Sequence, residues 1–281
     1  MQCNFDNLRN FALNKIINAV VVAVFLIFII FIIFVAGISS NLQTLPTSSQ
    51  ILSSKKIGWG IKRSNNHEQP DLGATNKRII EEFDGMAMGS KEKKYVYLTF
   101  DVGYEGGYTE QILDTLKENN VKAAFFITGQ FVKTSPDVIQ RMIDEGHTIG
   151  NHTVNHKCLP ECSEETTKDE IMNLHKQIFE KFNYEMKYMR PPKGEYSEKS
   201  LAYIQTLGYK PVMWSFAYDD WDNNKQGREE YGKKKIMDNL HNGEIMLLHA
   251  TSRDNANILD FVIKEIKNKG YEFKRLDEFE K

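Results

Sequence analysis

The chain has 281 residues, a length that suits one large α/β domain with a short appendage. Its formal net charge of −2 gives no reason to expect nucleic-acid binding, for which proteins ordinarily use a basic patch or stripe. Gly103, Gly106 and Gly107 do not form a G-x-G-x-x-G pattern, and the sequence has no G-x-x-x-x-G-K-[ST] loop, so we expect no bound nucleotide.

An apolar segment occupies residues 16–38. Its 23 residues include no charged side chain and are long enough to cross about 30 Å of hydrocarbon as a helix. Arg9 and Lys15 precede it, and no Lys or Arg follows before Lys55. The positive-inside rule therefore predicts a cytoplasmic N-terminus at 1–15, a single-pass membrane anchor and an extracytoplasmic remainder. A signal peptide cleaved near Val35–Gly37 is the alternative, and it would give a secreted protein.

The exported part divides into three stretches. Residues 39–57 begin with many Ser, Thr, Gln and Asn residues and are predicted to be a linker. Residues 58–93 have an irregular pattern and are predicted to be an extension that packs on the main domain. The main domain is expected at 94–281, because Tyr95–Phe100 is rich in β-forming residues and begins a regular alternation of elements.

Strand-like and helix-like segments alternate through the main domain. The predicted strands after Tyr95–Phe100 are Ala123–Ile127, Thr148–Gly150, Tyr188–Arg190, Val212–Trp214, Ile245–Leu248 and Glu272–Arg275. The predicted helices are Gly107–Asn119, Pro136–Glu145, Glu165–Phe182, Ser197–Leu207, Tyr231–Leu240 and Asn255–Lys269. This alternation predicts a parallel sheet with helices outside it, and both a barrel and an open doubly wound sheet satisfy the pattern.

Polar side chains at or just beyond the ends of predicted strands favour the barrel. They are Asp101, His152, Arg190, Asp220 and His249. In a βα barrel the carboxyl ends of the strands converge on one face, where catalytic groups are found. Taken singly, each residue has a simpler explanation, since an Asp after a strand is commonly a turn former or a helix cap. Their occurrence together indicates a site.

Five motifs in this order make the sequence similar to the polysaccharide deacetylases, also called the NodB-homology family. They are Thr99-Phe100-Asp101, His152-Thr153-Val154-Asn155-His156, Arg190-Pro191-Pro192-Lys193-Gly194, Asp220-Trp221 and Leu247-Leu248-His249. The resemblance extends from about Lys94 to the C-terminus and implies an α/β fold, a distorted (β/α)7-type barrel. It also implies a hydrolase that removes N-acetyl groups by cleaving linear amide C–N bonds.

The resemblance assigns roles that fit the chemistry of amide hydrolysis, which needs a base, an acid and a stabilised oxyanion. It makes Asp101 the base, oriented by Arg190, and His249 the acid, paired with Asp220. The backbone N–H of Lys193 matches the oxyanion donor. The groove for the sugar and its acetyl methyl is expected to be lined by Pro191, Trp221 and Leu247.

The resemblance also implies a divalent cation, with zinc as the expected ion, held by His152 and His156. Typical members have a second Asp directly after the base as a further ligand, and this chain has Val102 there. Catalytic zinc ordinarily has three protein ligands, so we expect a weakened site. Asp101 or water could complete it, or Lys193, which replaces the family's usual aromatic residue, could supply positive charge instead.

Three further stretches resemble the subgroup that deacetylates muramic acid on the route to spore-cortex δ-lactam. They are Thr99–Glu105, Met213–Ala217 and Ser252–Ala256, and residues 59–70 are similar to the segment before its catalytic domain. The expected substrate is therefore N-acetylmuramic acid in peptidoglycan strands. The alternatives are N-acetylglucosamine in peptidoglycan, another chitin-like glycan, and an inactive glycan-binding member of the family.

Cys158 and Cys162 are four positions apart in the predicted exported domain. An oxidising compartment would permit a local disulfide between them. A single pair of cysteines without a second cluster is weak support for structural zinc, so we expect two unpaired thiols.

Overall fold

The computed structural model describes residues 52–281. The predicted membrane anchor at 16–38 and most of the predicted linker lie outside this range. Within 52–281, no helix has both the length and the apolar character needed to span a bilayer.

Helices and strands alternate along the described chain. The helices are α1 (Ala74–Glu82), α2 (Thr109–Glu118), α3 (Gly129–Thr134), α4 (Pro136–Asp144), α5 (Glu164–Phe182), α6 (Glu198–Thr206), α7 (Glu229–Asn239) and α8 (Arg253–Asn268). The strands are β1 (Ile57–Gly58), β2 (Tyr95–Val102), β3 (Ala124–Ile127), β4 (Thr148–Asn151), β5 (Tyr188–Met189), β6 (Glu195–Tyr196), β7 (Lys210–Pro211), β8 (Glu244–His249) and β9 (Glu272–Phe273). All six predicted helices are present, with ends that differ by a few residues.

Seven strands form one parallel sheet, as the alternation predicts. Its order is β7-β5-β4-β3-β2-β8, and β9 pairs with the start of β2. The sheet is curled, and within residues 52–281 its two ends are connected by one isolated bridge. It joins Phe216, which follows β7, to Met246 of β8. The predicted ring of seven strands is therefore an incomplete barrel.

The strand predicted at Val212–Trp214 is displaced from the observed β7, which ends at Pro211. After Pro211 the chain continues in an extended form but changes partners. Val212 N–H donates to the Met189 carbonyl at 2.8 Å, and Met213 N–H donates to the Met86 carbonyl at 2.7 Å. Met86, in the segment before β2, therefore accepts a hydrogen bond that a neighbouring strand would accept in a closed barrel. The hydrogen-bond ladder of the sheet is interrupted at this point.

The two faces of β2 have different surroundings, because successive side chains of a strand point to opposite sides. Val96, Leu98, Phe100 and Val102 belong to the main apolar cluster, which also contains buried residues of the surrounding helices. Tyr97 belongs to a second, smaller cluster. The alternation therefore places polar Thr99 and Asp101 on the same face as Tyr97.

Residues before β2 pack against the rest of the domain. Strand β1 pairs antiparallel with β6, which follows the Arg190–Gly194 motif. Arg78 of α1 bridges Glu82 at 2.6 Å and Glu198 at 2.5 Å. Trp59 is buried against Tyr196 and Trp214, with ring centroids 6.3 and 6.4 Å apart. The extension thus touches the elements next to the predicted oxyanion donor.

Candidate active site

A cleft of about 1630 Å³ lies over the carboxyl ends of β2, β4 and β8. The predicted site residues on its surface are Asp101, His152, His156, Lys193, Trp221, Leu247 and His249. Arg190, Asp220 and Pro191 are buried and do not line it. Pockets for drug-sized molecules are about 300–1,000 Å³. A larger cleft has room for a segment of a polymer.

Asp101 and Arg190 form a buried ion pair beneath the cleft. Arg190 directly follows β5 and is fully buried, and its Nη1 donates to Asp101 Oδ1 at 2.7 Å. Its Nη2 donates to Thr99 Oγ1 at 2.9 Å and to the Met213 carbonyl at 3.3 Å. Its Nε donates to the Val212 carbonyl at 3.1 Å. These four hydrogen bonds fix the orientation of the guanidinium, and its positive charge lies next to Asp101 Oδ1.

The environment of Asp101 holds its carboxyl group ionised. Burial by itself would raise its pKa, but the positive charge of Arg190, assisted by that of His249, outweighs burial, and the pKa lies below its ordinary value. The second oxygen, Oδ2, lies 3.4 Å from His152 Nε2. Asp101 is thus an anion at neutral pH, held at one oxygen by Arg190 and facing the histidine pair with the other.

His152 and His156 bring two ring nitrogens together after β4. Their Nε2 atoms are 3.1 Å apart, and His152 Nδ1 lies 2.8 Å from the Arg190 carbonyl, to which it can only donate. Nε2 of a neutral His152 therefore carries a lone pair. Burial lowers the pKa of both histidines, and that of His156 falls to about 4 with help from the charges of His152 and Lys193. Both rings are neutral at pH 7.

Glu170 of α5 holds the loop that presents these histidines. It is buried, and its carboxylate accepts hydrogen bonds from the Asn155 backbone N–H at 2.7 Å and the Asn155 side chain at 2.8 Å. Lys157 Nζ lies 3.3 Å from the same carboxylate. His156 itself has a positive φ of 56°. The loop therefore depends on a buried carboxylate from α5, the helix that follows it.

The histidine pair fits a divalent cation in part. Neutral imidazoles are common ligands of zinc. With Zn–N bonds of about 2.05 Å, two ligands of a tetrahedron are about 3.3 Å apart, close to the observed 3.1 Å. Among residues 52–281, however, no cluster of three or more His, Cys, Asp or Glu side chains has a metal-ligand arrangement. A cation here would be held by His152 and His156 alone, with Asp101 as a neighbour.

Replacing Val102 with Asp should strengthen metal binding. Val102 directly follows Asp101 at the end of β2 and is buried in the main apolar cluster, so a carboxylate there would be desolvated unless it turned toward the histidine pair and bound a cation. We expect zinc affinity, measured by calorimetric titration, to rise by about tenfold or more. Val102→Asn is the matched control, because it has the same size without the charge and should leave the affinity near the wild-type value. Equal affinity in Val102→Asp and wild type, with both folded, would mean that His152 and His156 do not bind the metal.

His249 and Asp220 form the second charged pair of the site. His249 ends β8, and its Nδ1 lies 2.8 Å from Asp220 Oδ1. The His249 backbone N–H and the Asn255 side chain donate to Asp220 Oδ2 at 2.8 and 2.5 Å. Asn255 occupies the first turn of α8, where Ser252 caps the helix. Asp220 is thereby held by three donors.

The charge state of His249 follows from this pairing. Burial by itself would lower its pKa, but the Asp220 carboxylate, assisted by Asp101, outweighs burial and raises the pKa above its ordinary value. The side chain is 24% exposed and lines the cleft. His249 can therefore present a proton to a bound molecule.

The turn after Arg190 has the geometry of an oxyanion donor. Lys193 has φ 58° and ψ 7°, and within residues 52–281 its backbone N–H has no hydrogen-bond acceptor. Gly194 also has a positive φ, and a Cβ there would come within 2.6 Å of the Trp214 ring. The Gly194 carbonyl accepts the Trp59 N–H at 2.8 Å, and Trp59 Nε1 donates to the Trp214 carbonyl at 2.9 Å. The extension therefore braces this turn.

The predicted groove residues occupy different depths. Trp221 is 61% exposed at the rim, and Leu247 is buried at the cleft surface. Pro191 lies beneath the turn, where its carbonyl accepts the Gly194 N–H at 3.0 Å. Tyr104, which is 46% exposed, also lines the cleft.

Cys158 and Cys162 are free thiols, and burial raises the pKa of Cys158 to about 11.

Sequence reasoning assigned no role to four residues that organise the site. They are Thr99, Glu170, Trp214 and Asn255. Each acts by contacting another site residue that is distant in sequence. Thr99 stood inside a motif that carried the family resemblance, and Trp214 and Asn255 stood inside stretches that carried the subgroup resemblance, so their place there was the available signal.

Comparison with known proteins places the chain in a family. The family described as polysaccharide deacetylase matches residues 88–212. Peptidoglycan-N-acetylmuramic acid deacetylase PdaA of Bacillus subtilis is 42% identical over 235 residues, which cover 83% of this chain and 89% of the relative. The PdaA structure, a family 4 carbohydrate esterase, aligns with a TM-score of 0.79 at 41% identity, covering 81% of this chain and 98% of that one.

A second solved structure agrees. A family 4 carbohydrate esterase from Bacillus anthracis aligns with a TM-score of 0.69 at 38% identity and covers 82% of this chain and 98% of that one. In both cases nearly the whole of the solved chain is matched. The sequence motifs, the curled parallel sheet and the identity to these relatives lead to one conclusion: the chain belongs to the polysaccharide deacetylase family.

Proposed function

We propose that this protein hydrolyses the N-acetyl group of N-acetylmuramic acid in peptidoglycan. The observation that carries the proposal is that Asp101, whose pKa is lowered, and His249, whose pKa Asp220 raises, both lie in one polymer-sized cleft. An anionic base and a cationic acid are the two groups that amide hydrolysis requires. The substrate is proposed from the relative of 42% identity, whose name specifies N-acetylmuramic acid.

In the proposed reaction Asp101 removes a proton from the attacking water through Oδ2, since Arg190 occupies Oδ1. The Lys193 backbone N–H stabilises the negative charge on the acetamide oxygen. His249 then donates its proton to the departing amine nitrogen. A divalent cation held by His152 and His156 would add Lewis-acid polarisation when bound. Leu247 and Trp221 supply apolar contacts at the wall and rim of the cleft.

The product chemistry connects this activity with δ-lactam formation in spore cortex. Muramic acid carries a lactyl ether on the carbon next to the one that bears the acetamide. Removal of the acetyl group leaves an amine that can close a six-membered lactam with the lactyl carboxyl group. We place this reaction outside the cytoplasm, with residues 16–38 as the membrane anchor and Trp221 and Leu247 in contact with the glycan strand.

Acetate release from purified peptidoglycan tests the proposal. The protein should release acetate from glycan strands that contain N-acetylmuramic acid, and chelation of divalent cations should slow the release. Chitin oligomers, which contain only N-acetylglucosamine, should be poorer substrates. Acetate from chitin oligomers alone would favour the alternative glycan, and binding of peptidoglycan without any acetate would favour an inactive glycan-binding protein.

A further inference from the structure

Lys193 brings a free cation to the turn that is proposed to hold the acetamide oxygen. It lines the cleft and its side chain is exposed. Two nearby carboxylates, those of Glu161 and Glu195, form ion pairs with Lys56, whose Nζ lies 2.5 and 3.7 Å from them. Within residues 52–281 no carboxylate forms an ion pair with Lys193. In the part of the chain that the structure describes, this ammonium group therefore faces the cleft without a counter-ion.

The charge of Lys193 acts close to the reacting groups. Lys193 lines the same cleft as Asp101, His152, His156 and His249. Its charge therefore faces the space that the proposed substrate would occupy.

The two amino sugars of peptidoglycan differ by a negative charge at the carbon next to the one that bears the acetamide. N-acetylmuramic acid carries a lactyl carboxyl group on the oxygen of C3, adjacent to the C2 acetamide, and N-acetylglucosamine has a hydroxyl there. An acetamide oxygen at the Lys193 backbone N–H brings that carboxylate within reach of the Lys193 side chain. We propose that Lys193 Nζ binds the lactyl carboxylate and so determines the preference for N-acetylmuramic acid, an inference that rests on the proposed deacetylase function.

The expected effect is moderate because Lys193 is exposed. Surface ion pairs contribute little, whereas hydrogen bonds to charged groups at a binding site contribute more. We therefore expect a preference of about tenfold for the free carboxylate over a neutral derivative. Lys193→Arg should preserve the preference, since it keeps the charge, and Lys193→Met should remove it at similar length.

Binding can be measured without turnover in the Asp101→Asn protein. The two probes are a peptide-free disaccharide of N-acetylglucosamine and N-acetylmuramic acid with a free lactyl carboxyl group, and the methyl ester of the same disaccharide. With Lys193 intact, calorimetry should show the free acid binding about tenfold more tightly. With Lys193→Met added, the two probes should bind equally. Lys133→Met is the matched control, because Lys133 is another exposed lysine of the same cleft, and it should keep the preference.

Three results would overturn the proposal. They are a preference that survives Lys193→Met, equal weakening of both probes by that change, and no binding of either probe. Acetate release by the wild-type protein from the free acid reports the proposed function separately. Release without a carboxylate preference would reject the role of Lys193 alone, whereas a preference without release would reject the deacetylase function and leave the carboxylate site standing.

Discussion

Replacing Asp101 with Asn is expected to lower acetate release by about a hundredfold or more. The change removes the proposed base while keeping the size of the side chain. Asn cannot take a proton from water, and it also leaves the Arg190 charge without its anion at 2.7 Å. The rate should be measured with saturating substrate, so that the loss appears in kcat.

A control must separate lost chemistry from lost stability, since an unpaired buried cation destabilises a fold. Thr99→Val is suitable, because it removes another partner of the Arg190 guanidinium, at 2.9 Å, and leaves Asp101 intact. It should lower the melting temperature yet retain most of the activity. If Asp101→Asn is folded and keeps more than about a tenth of the wild-type rate, Asp101 is not the base.

Removing His249 should have the second largest effect. His249→Ala eliminates the proposed acid and should lower kcat by about a hundredfold or more, because the amine would leave without protonation. Asp220→Asn should be milder. It leaves the imidazole in place but removes the carboxylate at 2.8 Å that raises the pKa of His249.

The pH dependence of kcat shows in which direction Asp220 shifts the pKa of His249. An acid must be protonated to act, so activity is lost as pH rises through the pKa of His249. Because Asp220 raises that pKa, Asp220→Asn should move the alkaline limb of the kcat profile to lower pH. The profile should be recorded for both proteins on the same glycan. An alkaline limb at the same pH in both would show that Asp220 does not set the protonation of His249.

The parallel sheet and the grouping of polar residues could be predicted from sequence for a physical reason. Strand ends in a βα arrangement share one edge, so Asp101 near the end of β2 and His249 at the end of β8 had to meet. Register confirms this, since Asp101 and His249 are paired residues of neighbouring strands. The prediction of a strand at Val212–Trp214 was wrong because Met213 donates its hydrogen bond to Met86, which belongs to a segment with no regular pattern.

Other features of the site depend on contacts that no local pattern specifies. The left-handed backbone at Lys193 cannot be inferred from its residue type, because positive φ is uncommon outside glycine. Glu170 and Asn255 act on loops far away in sequence, through hydrogen bonds that exist only after folding. Short elements such as β1 and α3 were missed because a few residues show no periodicity. The predicted anchor at 16–38 remains a prediction.

Mass spectrometry of the glycan after incubation with the protein tests the central claim most directly. Peptide-free strands would be treated, digested to disaccharides and fragmented, so that each sugar reports whether it has lost an acetyl group. We predict that the acetyl group is lost from N-acetylmuramic acid, and that the Asp101→Asn protein leaves it in place. Loss from N-acetylglucosamine alone, or intact acetyl groups on both sugars, would contradict the account.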